Sequence, residues 1–241
     1  RQALEKSLAS IEQGTFGFAF GSGLAAMDAV LKLLKPGDEI ISTDDLYGGS
    51  YRIFTKIFED FGLKFHFVPM HNTKLIASSI NKKTKLIWIE TPTNPMMNII
   101  DIQAVVKLVK GKGILVAVDN TFASSYIQQP LTMGADIVMH SATKYLDGQG
   151  RCLGGAILGK KEQMNHAANF LRSAGTSMSP FNAWIFFKGL ETLKIRMDAH
   201  SSKAINLFFT TVIFPLPTGL GSLDDHSKVI SSSPTLTRLP T

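Results

Sequence analysis

The sequence predicts an α/β fold built on a mostly parallel sheet. Three observations carry that expectation. Short apolar runs recur along residues 1–178, stretches with a 3.6-residue apolar period lie between them, and Gly, Pro or Asn punctuates the junctions. Strands that alternate with helices form βαβ units, whose crossovers leave neighbouring strands parallel.

Residues 16–20 read as a short strand. Residues 22–34 place Leu24, Met27, Leu31 and Leu34 on one helical face, and Lys35-Pro-Gly-Asp38 stops that helix. A buried strand follows at 39–43. Residues 50–61 carry Ile53, Phe54, Ile57, Phe58 and Phe61 as a helical stripe that Gly62 ends, and 64–68 alternate as a strand does. The strand at 85–90 closes at Thr91-Pro-Thr-Asn-Pro95. Asp101 caps a helix whose Ile102, Val105, Val106 and Val109 share a face. The run at 114–118 is apolar throughout, as in a strand buried on both sides, and 136–140 and 155–158 are two more strands. A long helix starts at Ser179-Pro180 and reaches at least Ile205, with Trp184, Phe187, Leu190, Ile195 and Met197 in its pattern. Residues 211–241 are rich in Ser, Thr and Pro without a sustained period, and read as a degenerate, poorly ordered tail. The run 208–214 nonetheless has a strand's composition. The expected division is therefore a large domain at 1–178, a connecting helix at 179–210 and a tail at 211–241.

Composition removes several function classes. With 241 residues, 44% hydrophobic and 18% charged, the chain is too apolar to be intrinsically disordered. No apolar run is long enough to span a bilayer, so no membrane partner is expected. The net charge is +6, from 25 Lys and Arg against 19 Asp and Glu. The lysines are scattered rather than blocked, so no nucleic-acid partner is expected either. A lone cysteine, Cys152, forms no internal disulfide and suits a reducing, cytoplasmic setting. His66 and His71 are separated by Phe, Val, Pro and Met with no cysteine pair beside them, and no metal is expected.

Several short motifs carry possible chemistry. Gly21-Ser-Gly-Leu-Ala-Ala26 opens a helix after a strand. Such a start offers backbone N–H groups to an anion, as in phosphate or dinucleotide sites; tight packing alone also calls for glycine there. Ser141-Ala-Thr-Lys144 follows a strand, at the sheet edge where open α/β folds bind ligands. Lys144 there is either a solvated lysine or a Schiff-base amine, with Ser141 and Thr143 free to hold a phosphate. Asp119 follows the most apolar strand, where a carboxylate is costly without a positive partner such as a protonated pyridine; a turn or N-cap role is the other reading. Tyr47 precedes two glycines that let a flat ring approach closely, and Asn94 sits in a proline turn, where such residues are common without function.

Five motifs in order, Gly21-Ser-Gly-Leu-Ala-Ala26, Asp45-Leu-Tyr-Gly-Gly49, Glu90-Thr-Pro-Thr-Asn-Pro95, Val118-Asp-Asn-Thr-Phe122 and His140-Ser-Ala-Thr-Lys144, resemble the trans-sulfuration (Cys/Met metabolism) family of pyridoxal 5'-phosphate (PLP) enzymes. The resemblance covers residues 1 to about 207. Asp147-Gly-Gln-Gly-Arg-Cys-Leu-Gly-Gly155, Leu171-Arg-Ser-Ala-Gly175 and Met178-Ser-Pro-Phe-Asn-Ala-Trp184 are similar to O-succinylhomoserine sulfhydrylases, and the segment around Tyr47 equally to cystathionine γ-synthases and γ-lyases.

The resemblance implies the type I PLP-dependent transferase fold (aspartate-aminotransferase-like). It implies that Lys144 holds PLP covalently, Asp119 pairs with the pyridinium nitrogen, and Tyr47 stacks on the ring and helps move protons. Gly23 and Leu24 would give N–H groups to the phosphate, Ser141 and Thr143 hydroxyls, and Asn94 and Thr121 secondary contacts. The implied reaction is γ-replacement on O-succinyl- or another O-acylhomoserine by sulfide or cysteine, yielding homocysteine or cystathionine. Cystathionine or methionine γ-lyase chemistry is the alternative, and a homodimer or homotetramer the implied assembly. The family's N-terminal Tyr-x-Arg segment and its C-terminal carboxylate-binding arginine have no match in the 241 residues. A truncated small domain, weak PLP binding and poor turnover are therefore expected, with an inactive PLP-fold protein as one reading. An NAD-binding oxidoreductase leaves Asp119, Lys144 and Tyr47 without a shared task.

Overall fold

The structure, a computed structural model, describes residues 1–208. Among these, the strands β1 (Phe16–Phe20), β2 (Glu39–Thr43), β3 (Lys64–Val68), β4 (Thr84–Glu90), β5 (Leu115–Asp119), β6 (Ile137–His140) and β7 (Gly155–Gly159) form one sheet. Its order is β1-β7-β6-β5-β4-β2-β3. The helices are α1 (Gln2–Ile11), α2 (Gly23–Leu31), α3 (Gly48–Ile53), α4 (Thr73–Ser79), α5 (Ile102–Val109), α6 (Ser124–Ile127), α7 (Lys161–Ala174), α8 (Pro180–Leu190) and α9 (Leu193–Phe208). A π-helical turn, Phe54–Phe58, extends α3.

The parallel expectation holds for β3, β2, β4, β5 and β6. It does not hold for β7, which runs antiparallel to both β6 and β1. From β2 the chain goes outward to β3 and returns on the other side as β4, so strand order reverses there. In open α/β sheets a crevice opens at such a reversal, beyond the carboxyl ends of the strands.

Alternation explains why the central strands are apolar throughout. On β4, Leu86 and Trp88 face one buried cluster and Ile87 and Ile89 the other. On β5, Ala117 faces the first and Val116 and Val118 the second. Phe54 anchors the first cluster, stacked on Phe65 at 4.5 Å and edge-on to Trp88 at 5.7 Å. The second is closed by Ile102, Val105 and Val109 of α5, whose first turn is capped by Asp101 Oδ1 accepting from Ala104 N–H at 2.9 Å. A third cluster joins Leu4 and Leu8 of α1 to Phe186 of α8.

Several expectations need correction. The helix expected from Ser179 is two helices, broken at Glu191 and Thr192. Gly189 packs so closely that a Cβ there would lie 2.4 Å from the Leu146 carbonyl oxygen, and Thr192 Oγ1 and Arg196 both donate to the Gly189 carbonyl. These bonds turn the chain before α9 starts. Trp184, Phe187 and Ile195 are exposed; Met197 is buried as expected, and Ala183, Phe186 and Gly189 are buried beside it in the chain's core. Ile57 and Phe61 are likewise exposed, because the π turn rotates the stripe set by Ile53. Leu34 lies beyond α2, which ends at Leu31. Arg1–Met197 form one compact unit. Phe208 belongs to α9, and the rest of the run 208–214 lies outside the described residues. The expected tail, 211–241, lies outside the described residues.

Candidate active site

The carboxyl ends of β4, β5 and β6 deliver Glu90, Asp119 and His140 to one edge of the sheet. Glu90 and Asp119 are register partners on adjacent strands. Asp119 is buried, and Thr121 folds back on it: its N–H donates to Asp119 Oδ1 at 3.1 Å and its hydroxyl donates to the same oxygen. Thr121 Oγ1 also accepts from Ser141 N–H at 2.8 Å. One hydroxyl thus ties the carboxylate to the turn after β6. Burial pushes the Asp119 carboxyl up, and the Thr121 donors and nearby His140 pull it back.

That turn carries Ser141, Thr143 and Lys144. Lys144 N–H donates to the Ser141 carbonyl at 3.1 Å, which closes it. Across from it, α2 begins with Ser22 Oγ accepting from Ala25 N–H at 3.1 Å. Gly23 comes so near that a Cβ there would lie 2.9 Å from both Cβ and Oγ of Ser141. The first N–H groups of α2 therefore face the Ser141 hydroxyl, an arrangement suited to an anion. Thr143 is differently engaged. Its hydroxyl donates to the Gly154 carbonyl at 3.2 Å and accepts from Gly154 N–H at 3.1 Å.

Gly23, Leu24, Tyr47, Asn94, Asp119, Thr121, Ser141, Thr143 and Lys144 all line one cavity of about 420 Å³. That volume lies within the ordinary range for small-molecule sites. Every site residue expected from the sequence is brought together there. Leu24, expected on the core stripe of α2, is exposed toward this cavity instead. A larger open hollow of about 670 Å³ between Arg1 and Pro180 has Arg1 as its one charged lining residue.

Two groups were not anticipated. Glu90 lines the same cavity, nearly buried, and both its oxygens accept from Tyr47 N–H, at 3.1 and 3.0 Å. Burial, then the charge of Asp119, pushes its carboxyl up to about 8. The signal was present in the sequence: a carboxylate ending an apolar strand, as at Asp119. The second is a buried network beneath the edge. His140 Nε2 lies 2.6 Å from Glu12 Oε1, to which Asn120 Nδ2 also donates at 2.9 Å. It depends on α1, which periodicity did not reveal.

The donors fit a phosphorylated pyridine aldehyde. A cradle of backbone N–H and hydroxyl groups stands at one side, a buried carboxylate at another, and a lysine with an exposed amine stem beside them. Ser50 Oγ, buried on the cavity wall without a hydrogen-bond partner, is a further polar atom left for a ligand.

Residues 1–209 match the family described as Cys/Met metabolism PLP-dependent enzyme. The chain belongs to this family. Members with different activities resemble it to similar degrees. Cystathionine γ-synthase of Mycobacterium leprae is 44% identical over 209 residues, covering 86% of this chain and 54% of that protein. O-succinylhomoserine sulfhydrylase of Pseudomonas aeruginosa is 42% identical over 207 residues, covering 86% and 51%. The crystal structure of cystathionine γ-lyase from Lactobacillus plantarum complexed with L-serine superposes with a TM-score of 0.83 at 40% identity, covering 86% of this chain and 54% of that one. The 241 residues thus span about half the length of these relatives. The family uses PLP, and its fold is the one expected from the motifs. Among the described residues no helix is long and apolar enough to cross a membrane, and no His, Cys, Asp and Glu cluster could hold a metal ion.

Proposed function

We propose that this chain carries the cofactor half of a PLP-dependent enzyme that exchanges the γ-substituent of an O-acylhomoserine, such as the O-succinyl ester, for sulfide or cysteine. The observation that carries the reading is the convergence of Lys144, Asp119 and the Gly23–Ser141 cradle in one cavity at the sheet's carboxyl edge. Lys144 would hold the cofactor by its aldehyde carbon, Asp119 its ring nitrogen, and Gly23, Leu24 and Ser141 its phosphate. Bound there, PLP supplies an electron sink for a carbanion next to the substrate amine.

The protein's part is binding and proton transfer. Asp119, whose ionised form the Thr121 donors favour against its burial, would keep a proton on the ring nitrogen. Lys144 Nζ, when not bonded to the cofactor, would serve as the general base that removes the α-proton and carries protons to and from the neighbouring carbons. Tyr47, on the cavity wall, would lie against the cofactor ring and offer a phenol to donate or accept a proton. Elimination at the γ-carbon is the second reading, favoured by the 43% identity to cystathionine γ-lyase of Dictyostelium discoideum over 205 residues.

The test has two stages. PLP added to the purified chain should give an absorbance band that Lys144→Ala removes; a band unchanged by that substitution refutes the assignment. The loaded chain is then given O-succinylhomoserine with sulfide or cysteine. A thiol or thioether product marks replacement, and a 2-oxo acid with ammonia marks elimination.

A further inference from the structure

The site holds one more carboxyl than the proposed chemistry uses. Glu90 lies beside Asp119 at the ends of β4 and β5, nearly buried, on the wall of the same cavity. One ring cation needs one carboxylate. Two buried carboxylates side by side would leave an uncompensated charge, which a site of low dielectric does not tolerate.

Their partners differ. Asp119 receives two donors from Thr121 and is faced by His140 at the end of β6. Glu90 receives a single backbone N–H, that of Tyr47, shared between its two oxygens. The other charged groups facing Glu90 are both acidic: Asp119 from β5 and Asp45 from the β2–α3 loop, which is itself held by Thr93 Oγ1 and Met96 N–H. Lys144 lines the cavity from the turn after β6.

We infer that Glu90 is a positioning residue that stays protonated beside Asp119, so that the pair carries one negative charge for one ring cation, while its oxygens fix the Tyr47 main chain over the cavity. The inference rests on the PLP reading above. Its second part is local geometry: Tyr47 leads into α3, and the Glu90 carboxyl is the one side chain bonded to its N–H. The raised titration of Glu90 agrees with this arrangement.

Two measurements test it, one of them without cofactor. In PLP titrations at pH 7, Glu90→Gln, which keeps an acceptor and cannot ionise, should bind within about threefold of wild type. Glu90→Ala, which strands the Tyr47 N–H, should bind at least about tenfold more weakly, and alanine should not be rescued by any change short of restoring an acceptor. If Glu90 instead serves as a second anion for the ring, Glu90→Gln will fail as badly as Glu90→Ala, and the inference is overturned. In cofactor-free thermal melts, Glu90→Gln should gain stability relative to wild type at pH 9, where the native carboxyl must ionise, and gain much less at pH 5.5. An equal offset at both values also overturns it. A wild-type chain that binds no PLP at all counts against the proposed function, whereas the melts still decide the state of Glu90.

Discussion

Gly49 separates cofactor binding from folding more cleanly than any lining residue. A Cβ at this position would lie 2.1 Å from Cε1 of Tyr47 and 2.8 Å from its Cζ, so Gly49→Ala must drive the ring out of its place. Tyr47 is 47% exposed, so the ring has room to swing into solvent and the fold loses little. Gly48 is the control, because a Cβ there meets nothing within 4 Å. Both positions lie in α3, where alanine gains up to about 1 kcal/mol over glycine in helix propensity. Gly48→Ala should therefore leave Tm equal or slightly raised and PLP affinity unchanged. Gly49→Ala should have a Tm near wild type but lose the aromatic stacking contribution, about 0.5–1.5 kcal/mol. That corresponds to roughly two- to twelvefold weaker PLP binding. The assay is a PLP titration followed by absorbance, with thermal melts of both variants. Equal PLP affinity for the two variants would refute the idea that Tyr47 rests on the cofactor.

Other outcomes follow from the same geometry. Gly23→Ala pushes Ser141 away from the start of α2, and overpacking of this kind costs about 1–3 kcal/mol, so phosphate-bearing PLP should bind more weakly while pyridoxal without phosphate is little affected. Thr121→Ala removes both the hydroxyl donor to Asp119 and the acceptor for Ser141 N–H; each buried polar group left unpaired costs about 1–3 kcal/mol, readable in denaturant melts. Glu90 is raised from 4.5 to about 8, so the folded chain keeps a proton that the unfolded chain releases. Cofactor-free stability should therefore fall as pH rises between those values and level off above them, by at most about 5 kcal/mol from this group. Urea melts at pH 5, 7 and 9 check the sign. Phe54→Ala removes a fully buried ring stacked on Phe65 and should cost about 3–5 kcal/mol in the same melts.

The sequence made the strands and the candidate site residues legible for a shared physical reason. A parallel strand buried on both faces is apolar from end to end, so a polar residue at its carboxyl end stands out, as Asp119 does after Val118. The expected bounds of β2 and β3 match the structure, and the site residues fall in one cavity. What escaped depended on partners distant in sequence. Glu90 gains its meaning from Asp119 on the next strand. Glu12 and His140 meet across 128 positions, and no local pattern announces that contact. Trp184 and Phe187 look like core residues because they are large and apolar, yet α8 turns inward the face that carries Ala183, Phe186 and Gly189. The π turn at Phe54–Phe58 shifts the face presented by Ile57, which a fixed 3.6-residue period does not anticipate.

The placement of β7 bears on how the chain comes off the ribosome. Among the described residues β1 precedes the other strands, and within the sheet it pairs with β7, the last of them in sequence. Until residue 159 has emerged, β1 has no ladder to join, whereas β2 through β6 can already assemble by successive neighbours. The floor of the site waits on the same late events, because Glu12 must close on His140 from the opposite end of the domain. Contacts of such sequence separation form slowly, since a long loop must be closed before they are rewarded. The candidate pocket therefore takes shape after the β2–β6 block on which it stands.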